Sequence, residues 1–385
     1  MTFAAAISEH PDIGQAAGEV LGELLERIGP EPDLAVLFLT APHREAVTDI
    51  AQAVRRLLRP ATLIGAAASS VVGGDREVEE TSALVLWAAR FGAAPTPVRL
   101  DAVSGPEGWA FAGLPHVDGG GEGGRDEGPV EHLVLVADPF SFPADAFVEL
   151  AAERFPSLRV IGGLASAASG PGGNRLVLDG EVHTDGAVGV LLPSGSGATT
   201  VVSQGCRPVG SPMVVTKADR RVVLELAGKP ALDRLADLVA GMSEQERDLA
   251  RRGLHVGWVI DEHKERFERG DFLIRNLLGG NKEAGALVVS GPVEIGSTVQ
   301  FQLRDAASAD DDLRHLLAGR RASGALLFTC TGRGSHLFGR AGHDAELVDA
   351  VTGGATAGMF CAGEVGPVGA RSFVHGFTAS VLLFR

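Results

Sequence analysis

The chain has 385 residues, 45% hydrophobic and 5% aromatic, with no tyrosine and a formal charge of −15. That length calls for more than one core, and the acidity and scarcity of stacking rings argue against nucleic acid or an anionic membrane as partner. Three cysteines at 206, 330 and 361 form no CxxC pair, which excludes a disulfide framework, offers no zinc set and fits a reducing cytoplasm.

The first thirty residues carry acids throughout and no basic segment ahead of an apolar core, so they do not read as a signal peptide. Ala17, Val20, Leu21, Leu24, Leu25 and Ile28 recur at helical spacing and predict an amphipathic helix within 1–32. No apolar run approaches ~20 residues, so no transmembrane helix is expected.

From residue 33 a pattern repeats. DLAVLFLT (33–40) reads as a buried strand, 42–58 as a helix, TLIGAA (62–67) as a strand ending in small residues and SALVLWAARF (82–91) as a further strand. HLVLVADP (132–139), a helix at 143–155, LRVIGGLAS (158–166) and GAVGVLLP (186–193) follow in the same order. The segment 104–129 between the copies is rich in glycine and acids, cannot supply a core, and is expected to be a mobile surface insertion.

A strand pair at 201–226 leads to a domain boundary expected near Gly228, where 229–252 turns helical. A weaker copy of the repeat is discernible from GLHVGWVID (253–261) to VQFQLRD (299–305). Charges at 261–271 predict a solvated segment, and 304–312 a strand end followed by an N-capped helix. The last copy is ALLFTCTG (325–332), a helix at 343–351, TAGMFCAGEVG (356–366) and HGFTASVLLF (375–384). The expected fold is α+β: a layered mixed sandwich of repeated strand–helix–strand–strand units. A helix within 1–32 precedes two domains, 33–228 and 229–385.

The repeat places equivalent glycine turns at 65–69, 162–166 and 358–364. Their bare N–H groups suit an anion nest, or the glycines serve close strand packing. GGDREVEE (73–80) is no Walker loop, and GLPHVDGGGEGG (113–124) lacks the strand-to-helix setting of a dinucleotide fingerprint, so nucleotide binding is disfavoured. His43, His132, His183, His255 and His315 are separated by whole elements, and neither a metal nor a cofactor is implied.

CTGRG (330–334), FCAGEVGP (360–367) and HGFTAS (375–380) resemble the signatures of FIST C domains, and LIGAAASSVVGGDREVEE (63–80) and VIGGLAS (160–166) resemble FIST N domains. That resemblance implies a cytoplasmic sensor of a small ligand, an amino acid or related small acid, with no established chemistry. It would work through a separate signalling partner.

Arg333 between Gly332 and Gly334 is able to grip a carboxylate, and Glu364 an ammonium, or the two close a structural salt bridge. Gly363 and Gly366 supply backbone, and Arg304 with Asp305 resembles a further family signature. Cys361 or Cys330 with His375 and Glu364 is the alternative, an enzyme with a nucleophilic thiol; structural packing of the cysteines is favoured and no residue is assigned a catalytic role. A protein-interaction adaptor is the third reading.

Overall fold

A computed structural model describes residues 1–106, 108–114 and 131–385. They fall into two compact units, one made of 1–202 with 313–385 and the other of 203–312. The division expected near Gly228 does not coincide with these units, since Gly228 lies inside the second.

Three repeats build the first unit. The first comprises β1 (Thr2–Ser8), α1 (Ile13–Arg27), β2 (Leu34–Thr40), α2 (Val47–Leu57), β3 (Thr62–Ala68), β4 (Ser70–Gly73), β5 (Arg76–Glu79) and β6 (Leu84–Arg90). The helix expected within 1–32 is therefore preceded by a strand, β1, which pairs antiparallel with β6. The second repeat comprises β7 (Thr96–Gly105), β8 (Gly108–Ala112), β9 (Glu131–Ala137), α3 (Ala144–Arg154), β10 (Leu158–Leu164), β11 (Leu176–Leu178), β12 (Glu181–His183) and β13 (Ala187–Leu191). Of the insertion read at 104–129, residues 104–105 and 108–112 pair as a hairpin of β7 and β8, while 107 and 115–129 lie outside the described residues.

The third repeat opens with β14 (Ala198–Gln204) and resumes only after the second unit. That unit holds β15 (Cys206–Asp219), β16 (Val222–Leu226), β17 (Lys229–Pro230), α4 (Ala231–Gly241), α5 (Glu244–Arg252), β18 (Leu254–Val259), β19 (Phe272–Asn281), β20 (Ala286–Val289), β21 (Thr298–Arg304) and the start of α6 (Ala306–Leu317). The repeat is completed by β22 (Gly324–Cys330), α7 (Gly334–Phe338), α8 (His343–Thr352), β23 (Thr356–Cys361), β24 (Glu364–Val368), β25 (Arg371–His375) and β26 (Thr378–Phe384).

Each repeat has the same heart. Its first long strand pairs parallel with the strand after the helix (β2 with β3, β9 with β10, β22 with β23) and antiparallel with the last strand (β6, β13, β26). The hairpin between those strands leaves home. β4–β5 docks on β23, β11–β12 on β3 and β24–β25 on β10, so the three hairpins are exchanged in a closed cycle.

Both faces of these strands are covered, which explains their uninterrupted apolar runs. Leu34, Val36 and Phe38 of β2 face a core shared with Val134 and Val136 of β9 and Leu326 and Phe328 of β22. The alternate Ala35, Leu37 and Leu39 pack on α1 and α2. Within the shared core Trp87 is fully buried and its indole N–H donates to the Ala355 carbonyl at 3.0 Å.

Of the two roles open to the repeated glycines, an anion nest or close strand packing, the geometry of the matched positions fits packing. Gly65, Gly162 and Gly358 occupy one register, opposite Leu37, Leu135 and Leu327. A β-carbon there would sit 2.1, 1.8 and 1.9 Å from those residues' carbonyl oxygens.

The second unit is not a fourth copy. β18 pairs antiparallel with both β21 and β19, β19 pairs with β20, and no helix separates β18 from β19. The long β15 pairs with β21 through its first half and with β16 through its second, closing the sheet on itself. Its interior, including Val256, Phe301 and Leu303, packs with Leu235 and Leu238 of α4 and Leu249 of α5.

Candidate functional site

The three equivalent strand ends converge. The Ser166 hydroxyl donates to the Phe360 carbonyl at 2.6 Å and accepts from the Ser69 N–H at 3.0 Å, and a β-carbon on Gly163 would lie 2.2 Å from the Cys361 sulfur. Three residues beyond the matched leucines stand Thr40, Asp138 and Cys330, at the ends of β2, β9 and β22. Thr40 bonds the backbone of Ala83, and Asp138 accepts from Ser141 and Asn174. Only the third repeat continues this position into CTGRG, and there a network of ionisable groups is shut in.

Arg333 is fully buried at the start of α7, and its partner is Asp344, not Glu364. Nε donates to Oδ2 at 2.7 Å and Nη2 to Oδ1 at 2.8 Å, the planar fork-on-fork geometry expected of this pair. Thr329 donates to the same carboxylate at 2.7 Å, His343 Nδ1 lies 2.9 Å from it, and the His343 ring stacks on Phe338 at 3.4 Å. Burial works to raise the Asp344 pKa, but Arg333 overrides it and holds the carboxyl well below the usual range. Arg333 is thus saturated by the chain's own carboxylate, and no acid from outside is needed to neutralise it.

The exchanged β4–β5 hairpin completes the network. Glu77 accepts the N–H groups of Gly342, Asp344 and Ala345 at 2.8, 2.9 and 3.0 Å, capping α8, where bare backbone donors favour an anion. Burial, then the Asp344 charge, raises its pKa to about 7. Glu79 accepts from the Ser335 N–H at 2.8 Å and from its hydroxyl. A β-carbon on Gly334 would meet Glu79 at 2.6 Å, so this glycine makes room for the hairpin. In the sequence, GGDREVEE served to exclude a Walker loop. The signal for these acids was the alternation in REVE, which puts Glu77 and Glu79 on one face of a strand.

Glu364 begins β24, cross-strand from His375, and accepts from the Thr378 N–H and hydroxyl at 3.0 and 2.9 Å. Burial raises its pKa to about 8, which favours the protonated acid near neutral pH, and the Cys330 thiol also bonds it. His375 is buried with Nε2 2.9 Å from the Gly366 carbonyl. The Gly363 carbonyl accepts from Leu164 at 2.8 Å, and the Gly332 N–H reaches the Cys330 sulfur at 3.4 Å. Cys361 donates to the Met359 carbonyl at 3.5 Å, and burial pushes its thiol well above the ordinary range, the reverse of what a nucleophile requires.

Arg304 belongs to the second unit, at the end of β21. Gln300, Gln302 and Arg304 alternate along one face of β21, and His255 on β18 is directly opposite Gln302. Gln302 is 1% exposed, yet its amide nitrogen has no acceptor among the described residues. Gly257 leaves it space, for a β-carbon there would lie 2.8 Å from that nitrogen. Burial, then the charge of Arg304, lowers the His255 pKa to about 4 and keeps the ring neutral. Sequence reasoning singled out Arg304 but passed over Gln302, because an isolated glutamine carries no motif.

Among the described residues no group of three His, Cys, Asp or Glu is arranged to hold a metal, and no helix is long and apolar enough to cross a membrane.

The chain matches the FIST N domain over residues 33–229 and the FIST C domain over 231–367. The two segments meet beside Gly228, although β15 and β16 of the first pair with β21 and β20 of the second. Among curated proteins it is 42% identical over 395 residues to the uncharacterized protein Rv0628c of Mycobacterium tuberculosis, covering all of both chains. It is 41% identical over 393 residues to the uncharacterized protein Mb0898c of Mycobacterium bovis, covering 100% of this chain and 99% of that one. With both domains present and full-length relatives of this similarity, the chain belongs to the FIST family, whose domains are associated with sensing in signal transduction.

Proposed function

We propose that this protein is a small-ligand-binding sensor whose ligand is an amino acid or related small acid, bound at the polar sheet face around Arg304. The observation that carries the reading is the buried Gln302 amide with no acceptor, beside a guanidinium and a neutral imidazole. Leaving such a donor unpaired costs about 1–3 kcal/mol, a cost that a bound carboxylate would remove. Arg304 would supply the charge and Gln302 a donor, while His255, hydrogen-bonded to Asn276, stays neutral beside them. Arg333 would keep the loop after β22 in shape.

Binding is favoured over catalysis because groups of the alternative thiol site are otherwise engaged. The Cys361 thiol is held protonated, and His375 is committed to a backbone carbonyl. Signalling would then pass to a separate protein in the cytoplasm.

A thermal-shift screen of amino acids and small mono- and dicarboxylates tests the proposal. A ligand at a hundred times its Kd adds about 2.7 kcal/mol of stability and raises the Tm of the parent protein. Arg304→Ala should lose that shift. Hits that stabilise Arg304→Ala as much as the parent would rule out this anchor.

A further inference from the structure

The inner face of the closed sheet holds a second site. At the end of β18 away from α5, Trp258, Leu273 and Ile295 line a groove of about 520 Å³, with Glu262, Glu294 and Arg275 among its walls. Trp258 and Leu273 are cross-strand partners, and Val256 and Arg275 are the next such pair on the same face. Mouths of closed sheets are common ligand sites, and the volume lies within the roughly 300–1,000 Å³ range of small-molecule pockets.

Three features define what would fit. Ile295 is 64% exposed, so apolar surface is offered to an occupant. The Trp258 indole N–H is shut off from solvent yet has no acceptor among the described residues. The charged wall carries two carboxylates against one guanidinium, a net negative charge that disfavours acids. Glu262 accepts from the Thr298 N–H at 2.7 Å, which holds its carboxyl group beside the groove.

We propose that this groove binds an apolar amine that also carries a hydroxyl or carbonyl oxygen. The hydrocarbon or aromatic body would lie on Trp258, Leu273 and Ile295. Its ammonium would face Glu262 and Glu294, and its oxygen would accept from the indole. This ligand differs in charge from the small acid assigned to Arg304, and the two sites stand on opposite faces of β18 and β21.

The probe is 2-amino-1-phenylethanol, compared with phenethylamine, which lacks the oxygen, and 3-phenylpropionate, which reverses the charge. In a Trp109→Phe background, the difference between emission with and without Trp258→Phe isolates Trp258. The amino alcohol should change that emission saturably, phenethylamine should bind several-fold more weakly, and phenylpropionate at least about tenfold more weakly. Glu294→Gln, with its Tm checked to confirm folding, should weaken the amino alcohol several-fold. Absence of a saturable Trp258 signal, tighter binding of the acid, or undiminished binding by a folded Glu294→Gln protein would overturn the proposal.

Discussion

At the strand ends of the third repeat, a guanidinium, an imidazole and three carboxyls are shut away from water, and each meets a partner from the chain. Arg333 grips Asp344, Glu77 caps α8, and Glu364 takes two bonds from Thr378. On the polar face of the second unit's sheet, Gln302 is just as deeply buried but its amide nitrogen meets no acceptor. The Arg333–Asp344 pair and the Glu77 cap are saturated from within and hold the fold together, although Glu364 Oε1 has no partner among the described residues. A buried donor left open beside a guanidinium is where an anionic ligand has something to add. The C-terminal motif whose charges stood out is thus the better structural device, and the plainer face of β21 the better binding candidate.

The sharpest way to break this comparison is to remove one partner from each region. Asp344→Ala leaves Arg333 buried and unpaired and should cost about 3–5 kcal/mol in urea unfolding. Gln302→Leu removes an unsatisfied amide and should be neutral or stabilising by up to about 1 kcal/mol. Equal losses in the two variants would show that Gln302 is structurally satisfied after all.

Gly358→Ala drives a methyl into the Leu327 carbonyl beneath the third repeat's network and should destabilise by about 1–3 kcal/mol or more. An unchanged denaturation midpoint would remove the packing explanation of the matched glycines.

pH sharpens the contrast further. Glu364 has its pKa raised by burial to about 8 in the folded chain, so the folded state holds this proton more tightly than the unfolded state does. Its contribution is greatest below the unfolded value of about 4.5 and declines as pH rises towards 8, by an amount on the order of a few kcal/mol. Glu77, raised to about 7 by burial and Asp344, acts in the same direction over the lower part of that window. Glu364→Gln keeps an acceptor for Thr378 and should flatten the decline between pH 5 and 8. An identical pH profile in parent and variant would place Glu364 among ordinary ionised acids.

The smallest effect belongs to Glu79→Ala, which removes the cap on Ser335 at the rim of the network and should cost about 0.5–1 kcal/mol.

Much of the fold was legible in the amino-acid order. Strands buried on both faces leave unbroken apolar runs such as LAVLFLT, and amphipathic helices leave a stripe, so the strand–helix–strand–strand unit could be read three times over. The 3.6- and 2-residue periods are local, and local sequence records them directly. Pairing between distant segments leaves no such trace. REVE looks like any short polar strand, and nothing in it says that β4–β5 will dock on β23 or that Glu77 will cap α8 more than 260 residues away. For the same reason Arg333 could be recognised as a group needing an anion, while the identity of that anion, Asp344 eleven residues on, depended on how α7 and α8 fold back. Sequence alone determined which residues must be buried and which charges needed compensation. Tertiary structure decided which of those needs the chain meets from within, at Arg333, and which it leaves open, at Gln302, because burial and hydrogen-bond geometry exist only once the strands are in register.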